Sequence, residues 1–253
     1  MKHKRKLLNI IISLSLLLIL WQLLSLFGEV GKTSIPSPLE VVKAIKDMIE
    51  DKILFKYIGI SLYRFAVGYF IAAIFAIALG LIFGWYKKAW DIIDPIVQVL
   101  RPVSPIAWFP FIVIIFGIGN LPAIVIIFIA AFFPILLSTV TAVKNIEKSY
   151  LKVASNFEIK GLKLMGKIVL PAIFPYIANA MHIALGSAWV FLVAGEMVGA
   201  QSGLGYLIID ARNNLRLDML MAGIIFIGLI GLILDKLIAR VERKIGVKWG
   251  RTY

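Results

Sequence analysis

Long apolar runs separated by short polar clusters set the pattern of this chain. The first run spans about Leu7 to Phe27 behind the basic cluster Met1 to Lys6. It is long enough for a bilayer crossing, and no small-residue cleavage site follows it, so it reads as a retained first span (about 7–27) rather than a removable leader. Residues 28 to 57 are polar and turn-rich, then amphipathic. Leu39, Val42, Ile45, Ile49 and Ile53 recur at helical spacing and predict a helix lying at the outer surface. Further apolar runs cover about Ile60 to Trp85, Ile96 to Phe116, Leu121 to Val143, Pro175 to Gly195 and Met219 to Ile238. The third is rich in proline (Pro102, Pro105, Pro110), and the turn Gly117-Ile118-Gly119-Asn120 separates it from the fourth.

Composition agrees with this pattern. Of 253 residues, 61% are hydrophobic and 16% charged, against roughly 45–50% and 25% in soluble domains. Hydrocarbon leaves no solvent partner for backbone N–H and C=O groups, so unbroken runs of this length must be helices. The predicted fold is all-α: one transmembrane domain over residues 1–253, with about six membrane helices in the bilayer. The formal net charge is +13, from 27 Lys and Arg against 14 Asp and Glu. No basic stripe interleaved with exposed aromatics occurs, so nucleic acid is not read as a partner. Lysines and arginines instead gather in the N-terminus, Lys87-Lys88, residues 144–167 and the tail from Arg240. That bias places both termini of a multi-pass protein in the cytoplasm. The outer amphipathic stretch, itself lysine-bearing, runs against the bias. Absence of cysteine excludes disulfides, thiolate metal sites and cysteine nucleophiles.

Between the fourth and fifth runs lies "KVASNFEIKGLKLMGKIVLPAIFPYI", residues 152 to 177, within a loop of about 144–171. Val153, Phe157, Leu164 and Ile168 keep to one helical face with Gly161 in the same stripe, and Lys152, Lys160, Lys163 and Lys167 fall mostly on the other. Two readings follow. Such an element can lie on the membrane with its lysines near anionic headgroups, or dock its apolar knobs into a soluble partner.

The same segment resembles the cytoplasmic loop of permease subunits of bacterial ABC importers, whose form is E-A-A, three residues, G, nine residues, I-x-L-P. The spacing aligns without gaps: Ala154, Ile168, Leu170 and Pro171 stand in motif positions and Val153 is a common replacement. Lys152 stands where Glu is expected and Glu158 where Gly is expected, so the turn is expected to have moved to Gly161. "EMVGAQSGLGYLI" (196–208), "IPSPLEVVKAI" and "RPVSPIAWFPFIVIIFGIG" are similar to the nitrate, sulfonate and taurine subgroup, so the resemblance covers nearly the whole chain. It implies a type I ABC importer permease fold and a non-catalytic transport subunit without cofactor, carrying a small anionic solute. It also implies a separate ATP-binding subunit docked on the loop, an extracytoplasmic solute-binding protein, and a second permease copy. Leu170-Pro171 is then expected to end the docking element, because proline disfavours helix in the residue before it.

Other residues carry weaker signals. Gly31-Lys32-Thr33 mimics a phosphate loop but lacks the earlier glycine and the preceding strand, so ATP hydrolysis is not expected of this chain. Asn179, His182, Gly186 and Trp189 make one face of the fifth span, with Glu196 at its outer end. They are candidates for pathway lining, with interhelical packing as the competing reading. Arg64 and Arg101 are expected to snorkel to the interfaces. Gly203 and Gly205 are expected to allow a tight turn in an outer segment (196–218) that forms a gate or meets the solute receptor. Asp210, Arg212, Arg216 and Asp218 read as solvated charges there. An ion-coupled secondary transporter is the alternative, but the carboxylates lie toward span ends. No His, Asp or Glu cluster has metal-ligand spacing within a span.

Overall fold

The computed structural model describes the backbone of residues 2–27, 29–30 and 33–248. Gly31-Lys32 and the end of the basic tail from residue 249 lie outside the described residues, as do the side chains of the first basic cluster. Helix α1 is Lys2–Phe27. A two-residue hairpin (β1 Glu29–Val30, β2 Thr33–Ser34) follows, pairing Glu29 with Ser34 and Val30 with Thr33. The remaining helices are α2 Pro38–Glu50, α3 Ile53–Trp85, α4 Lys87–Leu100, α5 Phe109–Phe116, α6 Asn120–Lys144, α7 Lys148–Asn156, α8 Gly161–Leu164, α9 Leu170–Gly199, α10 Leu204–Asn213 and α11 Leu217–Lys248.

Among the described residues four helical stretches are long and apolar enough to cross a bilayer: Ile53–Trp85, Asn120–Lys144, Gly161–Gly199 and Leu217–Gly246. The expected third span is not one rod. Its chain starts earlier, at Lys87, and consists of α4 and a second piece, Pro105–Phe116, bent by 86° at Arg101–Ser104. Arg101 still has helical angles before Pro102, whereas Ser104 is extended (ψ 132°), the conformation that Pro105 favours in the residue before it, so the helix breaks there. α1 is helical through the expected first span, although its described apolar stretch, Ile11–Leu26, is shorter than the others.

Small residues fix how the spans pack. Gly68, Ala72, Ala76, Gly80 and Gly84 recur every four positions along one face of α3 and meet α6. A Cβ at Gly68 would lie 2.7 Å from the Ile124 carbonyl oxygen, and one at Gly80 2.6 Å from Thr139 Cβ. The contacts advance together from 68 with 124 to 84 with 143, so α3 and α6 run parallel. Two parallel neighbours require the chain between them to return across the layer, and α4 with α5 makes that return. α9 runs antiparallel to both, with Gly195 against Ala123 and Ile126, and Ser138 Oγ donating to the Tyr176 carbonyl at 3.2 Å. Tyr69 Oη donates to the Met181 carbonyl at 2.6 Å. α11 lies antiparallel to α9, where Trp189 Nε1 donates to the Ile227 carbonyl at 3.1 Å. Tyr69, Ile127, Ile135, Leu136, Leu185 and Leu192 fill the core among α3, α6 and α9.

α2 begins with a capping box: the Ser37 N–H donates to Glu40 Oε2 at 2.7 Å, and the Glu40 N–H donates to Ser37 Oγ at 3.3 Å. The Ser37 backbone hydrogen bond holds the Glu40 carboxyl below its ordinary range. The helix is tied to the end of α1 by Trp21 Nε1 donating to Pro36 O and Ser25 Oγ donating to Ile35 O. Its buried face is Val41, Ala44 and Met48, packed toward α3 and α11. This corrects the expected stripe, in which Leu39, Val42 and Ile49 are exposed instead. The helix has apolar groups on both sides, and single-strip periodicity finds the outer set first.

The α3–α6 seam should be the least forgiving surface of the bundle. Gly80→Val should destabilise the protein in detergent by about 1–3 kcal/mol through overpacking. Gly59→Ala, where no atom lies within 4 Å of an added Cβ, should be neutral or slightly stabilising. Thermal unfolding of the two purified variants side by side checks this.

Candidate functional site

The loop between α6 and α9 is built in two parts rather than as one amphipathic helix. α7 ends at Asn156, and two residues in the left-handed region, Glu158 (φ 54°) and Gly161 (φ 61°), turn the chain before α8. The turn expected to have moved to Gly161 therefore also stays at Glu158, a position where a side chain resists that conformation. Ala154 is buried under α7, while Val153 and Phe157 are exposed, Phe157 at 74%. Leu164 does not share their face. It packs with Ile146, Met165 and Val169 at the foot of α9, and its expected role as an exposed knob is corrected. Leu162, which the stripe passes over, is 91% exposed. Tyr150, Val153, Phe157 and Leu162 are thus the exposed apolar side chains of the loop's tip, which also carries the exposed Lys152, Lys160 and Lys163.

Leu170-Pro171 does not end the element. Leu170 is right-handed helical, and the backbone is helical from Gly161 to Gly199 through a π turn at Met165–Val169, in which the Leu170 N–H bonds the Met165 carbonyl. A proline in a regular helix clashes with the carbonyl four residues back, here that of Lys167; the wider turn relieves it. Ile168 is half-buried in this turn.

At the other end of the bundle, Arg64 and Glu196 form a buried ion pair at 2.7 Å. Arg64 is 1% exposed, which corrects the expectation that it snorkels. Its Nη1 also donates to the Ser202 carbonyl, Nη2 to Ser202 Oγ and Nε to Asn120 Oδ1, at 2.7 to 2.9 Å. Glu196 accepts further bonds from Ser61 Oγ and from the Gly205 N–H, and Ser61 Oγ accepts from the Leu204 N–H. The glycines are required by this crowding: a Cβ at Gly203 (φ 106°) would land on the Glu196 carboxylate, and one at Gly205 on the Val193 carbonyl. Glu196, Gly203 and Gly205 therefore come together as one knot that pins the turn before α10 onto α3. Beyond it, Arg216 pairs with Asp218 at 2.8 Å on the surface.

The fifth-span candidates divide. Asn179 lines a cavity of about 520 Å³ between the end of α6 and the start of α9, with Asn145, Glu147, Tyr150 and Tyr176. A second cavity, about 480 Å³, shares Asn145 and Tyr176 with it and adds Ser138 and Thr141. A third, about 460 Å³, shares Leu137 with the second and reaches Pro134, Ser187 and Arg101. The three form one groove along α6, from its middle to the foot of the loop. His182 faces α11 instead, 2.7 Å from Asp235 and 3.6 Å from Glu242. Trp189 is buried against the same helix. The acidic partners of His182 escaped sequence reading because they lie on another helix.

A multi-pass helical bundle with a broken crossing, a polar groove entering from one side and an exposed apolar tip beside its mouth has the build of a membrane transport subunit. The family of binding-protein-dependent transport system inner membrane components matches residues 76–247, and the chain belongs to it: it is a transmembrane permease subunit of an ABC importer. SsuC of Bacillus subtilis, a permease named for aliphatic sulfonates, is 32% identical over 239 residues, covering 94% of this chain and 86% of that protein. The nitrate import permease NrtB of Leptolyngbya laminosa is 37% identical over 243 residues, covering 92% and 86%. Among solved structures, an inward-facing form of the MetNI methionine ABC transporter matches the fold with TM-score 0.64 at 17% identity, over 78% of this chain and 97% of the other.

The knot gives a clear expectation. Glu196→Leu or Arg64→Met alone should cost about 3–5 kcal/mol, because each leaves its partner buried and unpaired. The Arg64→Met, Glu196→Leu double variant should be less impaired than the two single losses summed, read by thermal unfolding in detergent. In the loop, Glu158→Gly should relieve about 1 kcal/mol of backbone strain. Slower proteolytic cutting between residues 156 and 161 is the expected readout.

Proposed function

We propose that this subunit carries a small oxyanion, of the sulfonate, taurine or nitrate class, through the groove along α6 and α9. Separate ATP-hydrolysing subunits drive it by docking on the Tyr150, Val153, Phe157 and Leu162 tip. The exposed tip carries this reading. Leaving four large apolar side chains in water is costly unless a partner covers them, and an apolar helix face is a common docking element. The tip stands beside the groove's mouth, so a push on the loop acts on the walls of the passage, the ends of α6 and α9.

Charge supports the orientation. Lys87-Lys88, Lys144 and the lysines of the loop share one side with Arg240 and Arg243 of α11, so that side is read as cytoplasmic. Both termini then lie in the cytoplasm and the protein sits in the inner membrane. The opposite side, with α2, α10 and the Arg64–Glu196 knot, receives solute from an extracytoplasmic binding protein. A second copy of the chain completes the passage, since the groove is a half-open trough in one protomer. The oxyanion class is supported by the relatives named for sulfonates and nitrate.

Phe157→Asp and Leu162→Asp should each abolish co-purification with the ATPase and ATP-dependent uptake in proteoliposomes, while the permease stays monodisperse. Leu164→Ala, in the packed foot, should lower the melting temperature and still retain the ATPase. Unchanged co-purification and uptake in both aspartate variants would show that the tip is not the dock.

A further inference from the structure

Arg101 is a charge whose place in the bundle the packing leaves without a partner. It follows the last residue of α4, at the start of the 86° bend. The depth of that bend is set at both ends of the crossing. Trp90, in the first turn of α4, lies under the ammonium of Lys144, 4.9 Å away at the inner end of α6. Phe109, at the start of α5, packs on Ile126 in the outer half of α6 and on Gly199 at the outer end of α9. The bend lies between these levels. Its cavity of about 460 Å³ is walled by Ile129, Phe133, Pro134, Ser187 and Phe191, and the α6 wall residues fall in the middle of a 25-residue helix.

The two arginines of the broken and second crossings have opposite surroundings. Arg64 is bonded by Glu196, Ser202 and Asn120. Among the described residues Arg101 has no ion pair and no side-chain hydrogen bond, and it is exposed to the cavity. A cation at this depth is costly unless water, a protein acceptor or an anion solvates it, and such residues mark solute pathways. Broken helices near the midplane supply binding sites because the backbone there is freed from the helix.

We infer that Arg101 is the anion-recognition residue of the passage. Its guanidinium forks onto two oxygens of the translocated oxyanion, in the cavity where the third crossing breaks. The inference rests on the proposed transport of a small oxyanion and adds the residue that selects it. A planar fork with two parallel N–H donors matches any group with two oxygens on one centre, so it reads what nitrate and sulfonates share and leaves shape to the surrounding walls. Further along the groove Ser138, Thr141, Asn145 and Asn179 are neutral, and Glu147 at its foot places a carboxylate that favours release of an anion toward the loop over its retention there.

The test uses the full chain in nanodiscs, with sodium nitrate and sodium ethanesulfonate as probes against equal sodium chloride. The parent should be stabilised thermally by both probes beyond chloride. Arg101→Gln should show at least tenfold weaker apparent affinity for each, and Arg101→Lys an intermediate loss. Because the chain contains no cysteine, Arg101→Cys offers a unique thiol: a cationic methanethiosulfonate adduct should restore part of the response and an anionic adduct none. A parent indifferent to both probes, or an Arg101→Gln protein responding as the parent does, overturns the inference, and equal behaviour of the two adducts does the same. Uptake by the ATPase-loaded complex is scored separately. Arg101-dependent stabilisation without ATP-dependent uptake of either anion overturns the proposed function and leaves the site standing.

Discussion

The close approach of α3 to α6 is the contact on which the rest of the bundle depends. Lipid tails are as apolar as leucine, so no hydrophobic force gathers spans once they are inserted; packing and interhelical hydrogen bonds must do it. Gly68, Ala72, Ala76, Gly80 and Gly84 strip one face of α3 to backbone and methyl groups, and α6 lies directly on it. Because the seam is parallel, the chain between the two helices must recross the layer. That return is the segment whose prolines break it and open a cavity at mid-depth. A packing requirement between two helices thus creates the irregular backbone of a third.

The two ends of the bundle are held differently. One end is tied by charged and hydrogen-bonded groups from α3, α6, α9 and the turn before α10, with Arg64 and Glu196 at the centre. Such a knot is specific in geometry and costly to open piecemeal. At the other end α6 and α9 pack through Ala142, Val143, Val169, Ile173 and Ile177 and share the Ser138 to Tyr176 hydrogen bond, with the groove running beside this apolar contact. The loop between α6 and α9, with Tyr150, Val153, Phe157 and Leu162 exposed, stands at that end.

His182 shows a different use of polarity in the membrane. It meets Asp235 and Glu242 of α11 and thereby joins α9 to a helix that is otherwise poorly covered by protein. With Trp189 bonded to the Ile227 carbonyl two turns further along, it makes that face of α9 an interhelical seam, while Asn179, close by in sequence, turns to the groove.

Hydropathy and residue type by themselves determined that the chain is helical and polytopic, where the apolar runs lie, that Gly117 and Gly119 turn the chain, and that a polar loop interrupts the membrane run after the fourth span, although helix resumes at Gly161 and not beyond Pro171. These features follow from the length of apolar runs and from local backbone preference, which neighbouring residues carry. The burial of Arg64, the depth of Arg101, the inner face of α2 and the division of the loop stripe between Phe157 and Leu164 were decided by tertiary structure alone. Lipid and protein interior are equally apolar, so periodicity says which side chains avoid water but not which helix covers them. A buried charge is explained only by a partner such as Glu196, more than a hundred residues away, and that partner is brought to it by packing.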